Sequence, residues 1–373
     1  MNFLFFCCVG LISVAVISGF LMFWKIFLPR RNIEKQSVKN RLSIIIPARD
    51  EAKRIIPLLD SLLSQKGIDF ETILVDDGST DETVSIAASY GVKVIQNNHL
   101  ENGWIGKTAA CWVGVKHASG DWLLFLDADT QLKTPESLTQ LTSTYQELGA
   151  RGILSLQPYH TIKRPYENLS AIFNIIVMVG MSVFTVWGKK LKGAGSFGPC
   201  ILCNKVDYMK SGGHQGIRKA VMDDLALGEA FRKAGYPVRC YGGKGLINFQ
   251  MYPEGLRSLW EGWTKSFATA SQETHPLVTF LISFWISGAF LTTPFLITAS
   301  ILGSPVWITI ATMLYIIFFV QVFIFARRTG KFSTIVIALY PLLFLFFTIL
   351  FIWSIYLTNV RRTVSWRGRK IKL

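Results

Sequence analysis

Leu123-Leu124-Phe125-Leu126-Asp127-Ala128-Asp129 is the stretch whose reading decides the fold. Four apolar residues, preceded by the turn formers Ser119-Gly120 and closed by two carboxylates, predict a buried strand ending at a charged edge. Ligands of open α/β sheets bind outside the carboxyl ends of the strands. Asp127 and Asp129 stand at i and i+2, so an extended backbone would turn both to one side. Two carboxylates there suit a hard divalent cation that also carries phosphate oxygens, since Mg²⁺ usually takes one or two carboxylates plus substrate phosphates. A lone pair of this kind is more often a solvated turn, and its neighbours decide between the readings.

Upstream, Leu42-Ser43-Ile44-Ile45-Ile46-Pro47 is β-branched and predicts a buried strand stopped by its proline. Ile55, Leu58, Leu59 and Leu62 then recur at helical spacing. Thr72-Ile73-Leu74-Val75 predicts a second strand ending in Asp76-Asp77-Gly78-Ser79, with Thr80 as the next helix start. Val92 to Ile95 reads as a third strand and Lys107 to Ala118 as a helix; the strand at Leu123 is the fourth. Such alternation implies a mainly parallel, doubly wound α/β sheet. Acids then gather at the strand ends: Asp76, Asp77, Asp127 and Asp129. No G-x-G-x-x-G follows the first strand and no P-loop pattern occurs, so dinucleotide oxidation and P-loop chemistry are not indicated. Gly103-Trp104-Ile105-Gly106-Lys107 places Lys107 near a helix start, either as a diphosphate contact or as a solvated lysine after a tight turn.

Half of the 373 residues are hydrophobic, 27 of them Phe, and they come in blocks. Phe3 to Trp24 is uncharged and long enough to span a bilayer; Leu277 to Leu302, Val306 to Ala326 and Ser333 to Leu357 follow late in the chain. The expected organisation is an N-terminal transmembrane anchor with a basic juxtamembrane segment (1–40), a water-facing catalytic domain (41–275), and membrane helices with a basic tail (276–373). No Lys or Arg precedes the first block and no A-x-A site follows it, which favours a retained anchor over a signal peptide. Lys25, Arg30, Arg31, Lys35, Lys39 and Arg41 come next, and the positive-inside rule then puts the domain in the cytoplasm. The net charge of +15 suits an anionic inner leaflet, and no nucleic-acid-binding motif is present. Three full later spans would leave Arg361, Arg362, Arg367, Arg369, Lys370 and Lys372 outside, against the same rule. One late block is therefore expected to be re-entrant or interfacial, with Pro294 and Pro341 as candidate breaks. Cys200-Ile201-Leu202-Cys203 is a lone C-x-x-C and does not indicate zinc.

Ile44-Ile45-Ile46-Pro47-Ala48-Arg49-Asp50-Glu51, Val75-Asp76-Asp77-Gly78-Ser79-Thr80-Asp81 and Asp127-Ala128-Asp129 together resemble the successive motifs of the family 2 glycosyltransferases. The resemblance implies a GT-A fold that binds a nucleotide-sugar, usually a UDP-sugar, and transfers the sugar with inversion. It implies a nucleotide-sugar pocket lined by Pro47, Ala48, Arg49, Glu51, Asp76 and Asp77. It also implies a Mg²⁺ or Mn²⁺ ion held by Asp129, the second acid of the D-x-D motif, beside Asp127. Val221-Met222-Asp223-Asp224-Leu225 resembles the family's E-D-x-x-L segment, with Asp223 where Glu is usual and Asp224 as general base. Gly212-Gly213-His214 resembles its acceptor-loop turn, with His214 either on the acceptor or structural. The Q-x-x-R-W motif of polymerising members is absent. Leu259-Trp260-Glu261-Gly262-Trp263-Thr264-Lys265 stands there instead, and Trp260, Trp263 and Lys265 either contact acceptor and diphosphate or are ordinary interfacial residues.

Ser155-Leu156-Gln157-Pro158-Tyr159-His160, Glu167 to Phe173, Met251-Tyr252-Pro253-Glu254-Gly255 and Val364-Ser365-Trp366-Arg367-Gly368-Arg369 narrow the resemblance. They resemble the bacterial apocarotenoid-acid glycosyltransferases, nearly end to end. This implies transfer of glucose from UDP-glucose to the carboxylate of a C30 acid, 4,4'-diaponeurosporenoate, giving a glucosyl ester on a staphyloxanthin-type route. Partners would be the nucleotide-sugar, the membrane-borne acceptor and other membrane enzymes of that route. A glycerolipid or hopanoid-type acceptor, or a non-catalytic nucleotide-sugar-binding protein, are the alternatives. Leu169 to Trp187, apolar nearly all round, is expected either as an interfacial helix at the acceptor entrance or as a buried core helix.

Overall fold

The computed structural model describes residues 2–29, 41–97, 104, 106–220, 222–361, 363–366 and 369–372. Arg30, Arg31, Lys35 and Lys39 of the basic segment, Gly103, Ile105, Val221, Arg362 and Arg367 lie outside the described residues. Two compact units form. One comprises residues 27–159 with 194–250; the other comprises 1–26 with 160–193 and 251–373. The ranges 1–40, 41–275 and 276–373 divide the chain differently, because segments 160–193 and 251–275 gather with the apolar helices.

Along the chain, α1 (Asn2–Met22) is followed by β1 (Leu42–Ala48), α2 (Ala52–Leu63), β2 (Phe70–Asp76), α3 (Thr83–Ser89), β3 (Lys93–Gln96), α4 (Gly106–His117) and β4 (Trp122–Leu126). Then come β5 (Thr130–Leu132), α5 (Ser137–Glu147), β6 (Ile153–Gln157), β7 (Tyr159–His160), α6 (Ala171–Gly180), β8 (Cys200–Asn204), α7 (Lys205–Lys210) and α8 (Gly213–Gly216). α9 (Asp223–Lys233), β9 (Val238–Gly242), β10 (Ile247–Phe249), α10 (Leu256–Glu273), α11 (Pro276–Ile301), α12 (Pro305–Thr329), α13 (Thr334–Ala338) and α14 (Tyr340–Tyr356) follow. A hairpin of Thr363–Trp366 with Arg369–Lys372 closes the tail.

In the α/β unit a seven-stranded sheet runs β3-β2-β1-β4-β8-β6-β9. Only β8 is antiparallel to its neighbours. The strand order reverses between β1 and β4, which opens a crevice at their carboxyl ends. Strict alternation assigns the faces. Ile44, Ile46, Leu124 and Leu126 join Ile55, Leu58, Leu59 and Leu62 of α2 in one core layer. Ile45, Leu123 and Phe125 join Ala110, Cys111 and Val115 of α4 and Leu227 and Phe231 of α9 in the other. Each such side chain, fully buried, contributes about 1.5–3 kcal/mol of transfer free energy.

Two local expectations need correction. β1 runs through Pro47, paired with Val75, to Ala48, because the missing N–H falls where the ladder is ending. α3 begins at Thr83 rather than Thr80. Thr80 is committed to the Asp50 carboxylate through its N–H (2.8 Å), and Asp81 accepts from the N–H groups of Ala52 and Thr83. Cys200 and Cys203 fall in opposite core layers of the sheet, so they cannot share a ligand.

In the second unit α1 lies antiparallel to α11, with Ala15 packed on Gly288, where a side chain would collide. Gln321 of α12 donates to the Val16 carbonyl (2.6 Å) and accepts from Trp285 Nε1 (2.9 Å), so its buried amide is paired. Among the described residues, four helices are long and apolar enough to cross a membrane: Asn2–Met22, Pro276–Ile301, Pro305–Thr329 and Tyr340–Arg361. α11 passes through Pro294 without a break, whereas Pro341 sits in the first turn of α14. α6 is a core helix and not an interfacial one. Phe173 is fully buried, stacked on Trp263 (4.9 Å) and edge-on to Phe347 (4.9 Å), because α10, α12 and α14 cover it.

Candidate active site

The register of β4 carries the first acid to its place. Leu126 pairs with Cys200, and the Asp127 N–H continues the ladder onto the Pro199 carbonyl (3.0 Å). Asp127 therefore keeps the parity of Leu123 and Phe125 and emerges on the face covered by α4 and α9. There Lys107, the second residue of α4, places Nζ 2.7 Å from Asp127 Oδ1 and 3.9 Å from Oδ2 of Asp223, the first residue of α9. Burial opposes the lysine's charge, but the attraction of Asp127 and Asp223 outweighs it and holds the pKa well above the usual lysine value. The chain then turns. Thr130 donates from its N–H (3.1 Å) and its hydroxyl (2.8 Å) to the Asp127 carbonyl, which takes Ala128 and Asp129 out of the strand. The extended premise behind the i, i+2 expectation thus holds only as far as Asp127.

The loops after β1 and β2 are tied to each other. Asp50, held at a positive φ of 51°, accepts from Thr80 and donates from its N–H to Ser79 Oγ (3.0 Å). The Glu51 N–H donates to Thr83 Oγ1 (2.8 Å), and the Glu51 carboxylate pairs with Arg54 (2.8 Å). Asp76 is buried and accepts from the Ser79 N–H (3.1 Å), so it shapes the loop. Asp77 faces the crevice with Asn97 Nδ2 3.3 Å and Arg49 3.9 Å from its carboxylate. Burial raises its pKa against those two partners. A side chain at Gly106 would collide with that carboxylate, so a larger residue at the start of α4 would force Asp77 to shift.

Asp224 follows Asp223 in the first turn of α9, beside Gly198, where an added Cβ would lie 3.0 Å from its Oδ2. Its Oδ1 accepts from the Leu225 N–H (2.9 Å). Burial, then the Asp223 charge, push Asp224 up to about 6, against the pull of Lys107. Asp127, Lys107, Asp223 and Asp224 thus form one cluster of three carboxyl groups around a single ammonium at the carboxyl end of β4. Asn97, Gly106 and Gly198 were not singled out in the sequence. The glycines at 193, 195 and 198 are the signal that marks the last of these.

His214 and Trp263 belong to cores. His214 is buried, with Nδ1 2.8 Å from the Tyr208 hydroxyl, which accepts from the His214 N–H (2.9 Å). Burial pulls its pKa down to about 4. Trp263 is buried and donates from Nε1 to Ser170 Oγ (3.0 Å). The Nε1–H of Trp263 and the Nδ1 of His214 are thus engaged inside the fold. Trp260 lies edge-on to Phe346 (5.9 Å), and Lys265 is half-buried on the same helix.

Among the described residues, no group of three or more His, Cys, Asp or Glu could hold a metal ion by itself. Asp127 and Asp129 are two carboxylates after β4, the first of them paired with Lys107, so a cation there would need further ligands such as phosphate oxygens.

Strand-end acids, a lysine at one helix start and an acid pair at another, on this strand order, define a GT-A glycosyltransferase. The comparisons agree. Residues 43–192 match the family model described as Glycosyl transferase family 2. The chain is 39% identical over 340 residues to 4,4'-diaponeurosporenoate glycosyltransferase of Staphylococcus aureus (strain USA300), covering 89% of this chain and 88% of the relative. It is 38% identical to the protein of that name in strain MRSA252, over the same shares. A mannosyltransferase from Pyrobaculum calidifontis, solved with GDP-Man and Mn²⁺, shares the fold with a TM-score of 0.51 at 15% identity, over 93% of this chain and 98% of that one. The chain belongs to glycosyltransferase family 2.

Proposed function

We propose that this enzyme moves glucose from UDP-glucose, with inversion, onto the carboxylate of 4,4'-diaponeurosporenoate at the cytoplasmic face of a membrane. The Asp127–Lys107–Asp223 cluster, with Asp224 beside it, carries the reading. The relatives at 39% identity support the acceptor, since their name includes it. Pro47, Ala48, Arg49, Glu51 and Asp77 would line the nucleoside pocket. Asp127 and Asp129 would hold Mg²⁺ or Mn²⁺, which supplies Lewis-acid stabilisation of the departing diphosphate. Lys107 gives the leaving group a fixed positive neighbour. A carboxylate oxygen of the acceptor forms the new bond to the anomeric carbon as the bond to the diphosphate oxygen breaks, and that electron pair leaves with UDP. The acceptor is already ionised at pH 7, given carboxyl reference values near 4, so no proton has to be removed.

The test is incubation of membranes carrying the protein, or its Asp129→Ala variant, with labelled UDP-glucose and a C30 carotenoic acid. A metal-dependent, alkali-labile labelled product that the variant fails to make supports the reading. Label in another lipid moves the acceptor. UDP-glucose bound with no label in any lipid overturns glucose transfer from UDP-glucose and points to another donor or a binding role.

A further inference from the structure

α1, α11 and α12 pack on one another. Phe5 meets Phe295 and Trp307 at one end of them. Phe23 meets Phe325 at the other, where Arg328 donates to the Phe23 carbonyl (2.7 Å). At 1.5 Å per residue α11 and α12 are about 39 and 37 Å long, enough for a hydrocarbon core of about 30 Å. α1 and α12 finish, and α11 begins, at the same end.

The last apolar block behaves differently. It starts at that end: the Ser333 N–H donates to Asn168 Oδ1 (2.7 Å), and Arg327, near the finish of α12, donates to Thr334 Oγ1 (3.0 Å). α13 then descends, and the Tyr340 hydroxyl donates to Thr292 Oγ1 (2.7 Å), with its ring on Phe318 (5.3 Å). Thr292 lies about 24 Å along α11 from Pro276. From there α14 climbs back. Phe344 packs on Trp285 (4.8 Å), Phe347 and Phe351 on Phe267 of α10 (5.5 and 6.1 Å), and Ser354 Oγ donates to the Thr264 carbonyl (2.8 Å). With Tyr340 beside Thr292 and Phe344 beside Trp285, α14 runs antiparallel to α11 and climbs towards the end where α11 begins. Seventeen residues of α14 rise about 25 Å, which matches the depth reached.

The break at the bottom is chemically tolerable. Leu339 (φ −91°, ψ 33°) ends α13, Pro341 in the first turn of α14 has no N–H to leave unpaired, and the Ala338 carbonyl accepts from the Tyr315 hydroxyl (2.9 Å). Non-helical backbone at membrane depth requires such protein partners. Ile335, Leu342, Leu345, Ile349 and Ile352 are exposed on the hairpin, a surface for acyl chains.

We propose that the chain crosses the membrane three times, not four, and that residues 334–356 form a re-entrant hairpin seated in the leaflet where α11 begins. Arg361, Arg369, Lys370 and Lys372 then return to the side of the membrane at which α1 and α12 end, in keeping with the positive-inside rule.

Single cysteines at Leu302, in the α11–α12 link, and at Lys372 test this in full-length protein lacking Cys7 and Cys8. A membrane-impermeant maleimide is applied to spheroplasts and to inverted vesicles. Should Leu302→Cys fail to fold, Ser304→Cys reports the same link. Three crossings label the two positions from opposite faces, whichever way the protein is inserted. Labelling of both from one face means four crossings and overturns the hairpin.

Discussion

Replacing Asp224 by Asn separates two acceptor chemistries in one experiment. Asn has the same shape, fits beside Gly198 and still accepts from the Leu225 N–H (2.9 Å in the wild type), so the fold is preserved. With its carboxyl pushed up to about 6, Asp224 is ionised roughly ten to one at pH 7 before the acceptor binds. Were it a base for a hydroxyl acceptor, its loss would cost about 10²–10⁴ in rate, about 3–5 kcal/mol. A carboxylate acceptor has no proton to give. At about 5 Å and an effective dielectric near 20, it would instead repel an ionised Asp224 by about 3 kcal/mol, some two units of pKa. Asp224 then takes up a proton as the acceptor binds, and Asn imitates the resulting neutral group. The expected outcome with the C30 acid is a change in kcat/KM below about tenfold, with a lower KM for the acceptor. The proton uptake seen on acceptor binding at pH 7 disappears in the variant. With the corresponding C30 alcohol the variant should be nearly inactive. A loss of a hundredfold or more with the acid, UDP-glucose binding intact, would refute the argument.

The same variant should be more heat-stable than the wild type at pH 8. A carboxylate whose folded pKa is raised costs stability above that pKa, and the difference should shrink as pH falls from about 6 through the unfolded value of 3.8, read from pH-dependent melting. Glu71 has the opposite sign. Burial is outweighed by hydrogen bonds from Ser43 (2.6 Å) and Ser119 (2.6 Å from N–H), and its pKa falls to about 2. Glu71→Gln should therefore melt earlier at pH 7, with the gap closing as pH drops from 4.5 towards 2. Lys107→Met, which leaves Asp127 and Asp223 without their shared cation, should lower kcat/KM at least about tenfold while donor binding, followed by calorimetry, survives. Gly288→Val should cost about 1–3 kcal/mol in detergent melts, because its side chain meets Ala15.

What could be read in advance follows from how local each signal is. The near-continuous apolar runs of Leu42–Pro47 and Leu123–Leu126 mark strands buried on both faces, and acids placed directly after such runs have to lie at the sheet edge; both inferences need only neighbours in the chain. The partnership of Lys107 with Asp127 and Asp223 could not be read this way. It depends on the β4–β8 register and on where α9 starts, which are settled by residues 70 or more positions away. Trp263 misled for the same reason, since a tryptophan that packs inside a core and one that faces an interface look identical until Phe173 and Ser170 are placed beside it. The last apolar block makes the sharpest contrast. Hydropathy is equal for a span and for a hairpin of the same composition, so Ser333 to Leu357 passes any test of length. Charge, unlike hydropathy, has a side of the membrane to prefer. The six basic residues after Val360 conflicted with a fourth crossing, and the contacts of Tyr340 and Ser354 give that conflict a physical resolution.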